Sequence, residues 1–80
     1  EKRKVRALIL TPTRELAVQV AENFSAYAKN TRLRHAVIYG GVPQRTQTMA
    51  LKKGVDILIA TPGRLQDLMQ QGFIQLNSIE

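Results

Sequence analysis

Ile57-Leu58-Ile59-Ala60-Thr61-Pro62-Gly63-Arg64 sets an uninterrupted aliphatic run directly against Thr-Pro and an arginine. The same arrangement occurs earlier as Ala7-Leu8-Ile9-Leu10-Thr11-Pro12-Thr13-Arg14. An aliphatic run without polar alternation is what a strand covered on both faces of a parallel sheet requires. Proline fits the first helical turn, where its missing N–H is not needed. Each segment therefore reads as strand, turn and helix start. The first N–H groups of a helix have no partner inside it and carry partial positive charge, which suits an anion. An arginine in that turn is unfavourable to the helix itself. Its presence in both copies points to a ligand that supplies the negative charge, with phosphate the natural candidate.

Working outward, Val5–Leu10 is the first strand. Leu16, Val20, Phe24 and Tyr27/Ala28 recur at helical spacing, with Ala17 and Ala21 beside them, so residues 14–29 form an amphipathic helix ending near Asn30. His35–Tyr39 is a second strand, closed by Gly40-Gly41. A helix-like stretch follows from about Pro43 to Lys53, with Thr46, Met49 and Ala50 expected to face inward and Gly54 as its stop. Val55–Ala60 is the third strand, and the helix of residues 62–71 shows Leu65, Leu68 and Met69 on one face before Gly72. Leu76 and Ile79 suggest the approach to another strand. The order β-α-β-α-β-α gives an α/β fold with a parallel sheet and right-handed crossovers. A sheet of three strands has two open edges, so the 80 residues are expected to be part of a larger domain. Isolated, they are expected to fold marginally or self-associate.

Composition narrows the function. The chain is 44% hydrophobic, as a globular domain is, and carries a net charge of +6, which favours a polyanion as partner. The charge is uneven: residues 1–34 hold eight Lys and Arg against three acids, and residues 35–80 hold four against three. Lys2, Arg3, Lys4 and Arg6 either solvate the start of the chain or add to that polyanion surface. There is no cysteine, hence no disulfide framework and no thiolate metal site, which fits a reducing compartment and a cytoplasmic location. The single histidine, His35, reads as a surface or edge-strand residue. No apolar run approaches the length of about 18 residues that a membrane span needs.

All strand ends of one polarity lie on one rim of a parallel sheet, and ligands bind at the carboxyl ends. That rim carries three loops here: Thr11–Arg14, Gly40–Val42 and Thr61–Arg64. Two are helix starts with an arginine, and the third is a glycine pair that lets a backbone approach closely. Three phosphate-sized positions in a row match a polynucleotide backbone better than one small molecule. The Thr hydroxyls can cap the helices or donate to phosphate, while Arg14 and Arg64 can hold phosphate bidentately. Glu15 is read as charge compensation at a helix start; Asp67 either does the same or orients an arginine. The sequence contains no G-x-x-x-x-G-K-[ST] loop, no G-x-G-x-x-G fingerprint, no adjacent acidic pair for Mg²⁺ and no Ser/His/Asp or Cys/His set. No catalytic or metal-ligating residue is therefore assigned.

Pro12-Thr13-Arg14-Glu15-Leu16-Ala17, Gly40-Gly41, the set Gln47, Leu51 and Gly54, and Ala60-Thr61-Pro62-Gly63-Arg64-Leu65 with Asp67 together resemble the first RecA-like domain of DEAD-box ATP-dependent RNA helicases, most closely in bacterial wording. The resemblance covers essentially the whole chain. It implies a three-layer, P-loop-NTPase-type sheet in which Pro12, Thr13, Arg14 and Glu15 stand for motif Ia, Gly40 and Gly41 for the GG doublet, and Thr61, Pro62, Gly63 and Arg64 for motif Ib. In that family these elements hold the sugar-phosphate backbone of one RNA strand without reading bases. The family's Q motif and Walker A precede this segment, and its Asp-Glu-Ala-Asp and Ser-Ala-Thr motifs follow it; none occurs in these residues. The resemblance thus implies ATP and Mg²⁺ as cofactors of a parent helicase and neither as a ligand of residues 1–80. Two other readings stay open on the residues: a small-molecule phosphate or dinucleotide enzyme fragment, and a non-catalytic interaction module.

Overall fold

Ala7–Leu10 (β1), His35–Ile38 (β2) and Ile57–Ala60 (β3) form one parallel sheet in the order β1-β3-β2, in a computed structural model that describes residues 5–74. Arg14–Ala28 (α1), Arg45–Lys53 (α2) and Pro62–Gln70 (α3) complete the alternating order. Leu10 and Ile38 both lie level with Ala60, so the three strands end at one height.

The two aliphatic runs look alike in sequence but differ in burial. In β3, the central strand, Leu58, Ile59 and Ala60 are fully buried. In β1, which has a single sheet neighbour among the described residues, Leu10 is 54% exposed and Ile9 36%. Position in the sheet, not composition, decides this, and the expected full burial of residues 5–10 holds only in part. Burying a large aliphatic side chain stabilises by about 1.5–3 kcal/mol. Leu58 and Ile59, on opposite faces of β3, are therefore the centre of the fold.

The helices cover both faces, giving three layers. On one side, Ala17 and Ala21 of α1 pack with Ile59, backed by Val20, Phe24, Val37 and Tyr39. On the other, Leu65 and Leu68 of α3 join Ala36, Ile38, Leu58 and Ile74, with Ala50, Leu51 and Phe73 against them. The chain steps outward from β1 over β3 to β2, then back to β3. Crossovers of one hand place the helices of opposite steps on opposite faces.

The helices bury only part of the faces expected of them. In α1 the buried stripe is Ala17, Ala21 and Ala28, whereas Leu16 and Tyr27 are exposed. Small side chains let this helix approach the sheet, leaving the bulkier residues at its margins. In α2 the expected inward residues Thr46 and Met49 are exposed, and Gln47 and Thr48 are buried instead. In α3, Leu65 and Leu68 are buried as expected, but Met69 is 39% exposed. The glycine stops are in place: Gly54 caps α2 with φ +97°, and Gly72 follows α3 with φ +87°. The expected strand approach at Leu76 and Ile79 and the basic residues Lys2, Arg3 and Lys4 lie outside the described residues. His35 opens β2 at the sheet edge, where its Nε2 lies 2.9 Å from Ser25 Oγ and its ring meets Phe24 edge-on.

Candidate nucleic-acid interface

The carboxyl-end rim is built by backbone continuity between strands. Thr11 N donates to Ala60 O (2.9 Å), and Thr61 N donates to Ile38 O (3.0 Å), so the three loops leave the sheet side by side. Thr13 then closes the turn into α1: its extended backbone (φ −135°, ψ 159°) lets Oγ1 accept from Leu16 N at 3.2 Å. Thr11 is buried, and its hydroxyl donates to Thr13 O at 3.3 Å. Of the two roles open to these threonines, Thr13 therefore takes the cap. Thr61 stands at the same position before α3 but makes no side-chain cap bond. Pro12, Pro62 and Gly63 are exposed, and nothing lies within 4 Å of where a Cβ on Gly63 would be.

The glycine pair is fastened at both flanks. Gln47 Nε2 donates to Tyr39 O at 3.1 Å, just before Gly40. Arg64 Nη2 donates to Val42 O at 2.8 Å, just after Gly41. Arg64 Nη1 donates to Gln47 Oε1 at 3.0 Å and closes the circuit. Gly40 and Gly41 are thus held between two carbonyls that are both satisfied from the helices below. Gly41 has φ +84°, a left-handed conformation that other residues adopt at a cost. A Cβ there would lie 3.5 Å from Arg14 Nη1, whereas one on Gly40 would meet nothing within 4 Å. The arginines from the two repeated segments therefore converge on the same loop, one at Gly41 and one at Val42.

A guanidinium has five N–H donors. Arg64 spends two on Gln47 and Val42, leaving three for a ligand at a half-buried position. Arg14 is exposed. Glu15 lies exposed in the first turn of α1, where a carboxylate offsets the helix dipole. Asp67 does not orient Arg64: its Oδ1 accepts from Gln71 Nε2 at 3.1 Å. Gln71 also exchanges amide hydrogen bonds with Gln44, at 2.9 and 3.1 Å, tying the end of α3 to the start of α2.

Two residues that tie α2 to α3 escape a reading of sequence alone. Gln44 and Gln71 belong to loops and caps whose meeting only the fold reveals. Gln47 entered only as part of a family resemblance, yet it is the hub of the circuit. One signal was available: Gln47 shares a helical face with Ala50 and Leu51, and a polar residue on an apolar face implies a buried partner.

The sequence lacks a phosphate-binding P-loop, and among the described residues no group of three His, Cys, Asp or Glu could hold a metal ion. Among them, too, no helix is long and apolar enough to cross a membrane.

The chain matches the DEAD/DEAH box helicase family over residues 1–80. It is 51% identical over 75 residues to the ATP-dependent RNA helicase RhlB of Shewanella denitrificans, covering 94% of this chain and 17% of that protein. It is 46% identical over 72 residues to the ATP-dependent RNA helicase DBP2 of Chaetomium globosum, covering 90% and 13%. The yeast DEAD-box splicing factor Prp28 superimposes with a TM-score of 0.84 at 33% identity, over 98% of this chain and 18% of Prp28. A hypothetical ATP-dependent RNA helicase from Sulfolobus tokodaii gives 0.85 at 40% identity, over 92% and 22%. The chain thus spans less than a quarter of the length of each. With a match along its whole length and the RecA-like sheet of these relatives, the chain belongs to the DEAD/DEAH box helicase family.

Proposed function

We propose that residues 1–80 are the RNA-backbone-binding part of the N-terminal RecA-like domain of an ATP-dependent RNA helicase. In this reading Pro12, Thr13, Arg14 and Glu15, the pair Gly40-Gly41, and Thr61, Pro62, Gly63 and Arg64 hold one RNA strand by its phosphates, independent of sequence. The single observation that carries it is the convergence of Arg14 and Arg64 on the loop around Gly41, level with two helix starts. Exposed guanidinium and helix N–H donors in a row suit successive phosphates. An open glycine loop between them lets a sugar-phosphate chain lie close. ATP and Mg²⁺ belong, on this reading, to parts of the parent protein other than these residues, and the chain by itself hydrolyses nothing. The lack of cysteine suits a reducing compartment, and we place the parent in the cytoplasm.

A titration with single-stranded RNA at several salt concentrations tests the reading. Binding that weakens linearly in log K against log salt, with similar affinity for unrelated sequences, supports it. Tight binding of a mononucleotide, uncompeted by RNA, would favour the small-molecule alternative. No binding of either would favour an interaction module.

A further inference from the structure

Six of the nine lysines and arginines among the described residues lie at the rim opposite the proposed RNA grip. Arg6 precedes β1; Lys29, Arg32 and Arg34 lie between α1 and β2; Lys52 and Lys53 end α2 before β3. The grip rim has only Arg14, Arg45 and Arg64. Hydrogen bonds draw the opposite rim together. Arg6 N donates to Asp56 O at 2.7 Å, Arg34 N donates to Asp56 Oδ2 at 2.9 Å, and Arg34 Nη1 reaches Lys53 O at 3.5 Å. Asp56 is the only acid at this rim among the described residues, and it is 4% exposed. Lys52 and Lys53 in the last turn of α2 and Lys29 at the C-cap of α1 complement the dipoles of those helices. Arg6, Arg32 and Arg34 lie in no helix, and Arg34 Nη1 spends one donor on the carbonyl of Lys53. With one buried acid beside six cations, the rim is strongly positive and favours a polyanion.

The surface there is also shaped. An open depression of about 470 Å³ is lined by Arg34, His35, Ala50, Lys53, Gly54 and Val55. A lining that mixes apolar residues with two cations suits a sugar-phosphate unit better than a bare ion.

Resting on the RNA-grip reading above, we infer that this amino-end rim is a second, backbone-only contact for the RNA that leaves the grip. The strands separating the rims are four residues long, about 13 Å at the usual rise. The described chain measures 33 × 31 × 23 Å, so RNA leaving one rim is the polyanion nearest to the other. An acidic protein would have to be brought there separately.

The test compares two single-stranded RNAs across a salt series, one roughly 6 nucleotides long, near the lower end of single-strand site sizes, and one about 20. The chain is measured beside a Lys29→Gln/Lys53→Gln variant, both positions being exposed helix ends. A Gln19→Glu/Asn23→Asp variant makes the same net-charge change on the exposed side of α1 and serves as control. Arg34→Gln is the second rim variant. We expect a steeper salt slope for the long RNA than for the short one. The rim variants should reduce the long-RNA slope by about 0.7 for each phosphate no longer neutralised and leave the short-RNA slope unchanged. Equal slopes for both RNAs, or a long-RNA slope the rim variants do not alter, would overturn the inference. So would an equal loss in the control variant, which would mean diffuse charge, or rim-dependent binding of poly-glutamate without any change for RNA. Loss of short-RNA binding on Arg14→Ala in those same titrations would leave the grip standing, so the two readings fail separately.

Discussion

Arg64 Nη1 donates to Gln47 Oε1 over 3.0 Å, and through this bond the helix after β3 holds the helix after β2. Gln47 passes the constraint to Tyr39 O, and Arg64 applies it directly to Val42 O. The glycine pair is therefore positioned before any ligand arrives, which lowers the ordering cost of binding.

Gln47→Leu keeps the volume of the side chain and removes both hydrogen bonds. Leaving Tyr39 O and one Arg64 donor without partners should destabilise the chain by about 1–3 kcal/mol in urea unfolding. RNA affinity should fall while the salt slope stays, because no phosphate-binding charge is removed. Unchanged stability together with unchanged affinity would mean that the circuit does not hold the loop.

Adjacent glycines should respond differently to the same change. Gly41→Val forces a β-branched residue into φ +84° beside Arg14, at a cost of about 1–3 kcal/mol. Gly40→Val meets open space and has no such strain, so it should leave stability nearly intact and weaken RNA binding by holding the backbone off. Thermal unfolding and RNA titration of the pair measure both effects. Equal destabilisation by the two would contradict the conformational assignment.

Much of this rim was legible in the sequence because its signals are local. Thr-Pro after an aliphatic run marks a strand end and a helix start whatever surrounds it, and Gly54 and Gly72 stop helices by their own backbone freedom. What was not legible depends on distant partners. The face of α2 turns inward at Gln47 because Tyr39 and Arg64 wait there, not because of its apolar spacing. Likewise β1 and β3 read identically, and only the strand order makes one central and the other an edge.

That edge has a consequence for assembly. Ile9 and Leu10 are exposed along a strand that pairs on one side only among the described residues. Unpaired backbone groups beside exposed aliphatic side chains favour association. The 80-residue chain should show concentration-dependent self-association in sedimentation. Ile9→Lys should reduce it, since charge on an edge strand opposes pairing. A monomer at all concentrations, unfolding reversibly at one temperature, would contradict this.

No RNA-stimulated ATP hydrolysis is expected from the chain alone. Phosphoryl transfer needs a held nucleotide and metal. The sequence has no P-loop, and the described acids form no metal-binding group. Phosphate release above a no-protein blank that survives repurification would refute the expectation.

If this rim holds phosphates, Arg14→Ala reveals it with the least disturbance to the fold. Arg14 is exposed and makes no hydrogen bond among the described residues, so its loss should leave the fold intact, unlike loss of Arg64. The measurement is the salt dependence of binding to short single-stranded RNAs of unrelated sequence. The predicted result is weaker binding to all of them by a similar factor, with the log K against log salt slope smaller in magnitude by about 0.7. An unchanged slope, or a loss confined to particular sequences, would contradict the account.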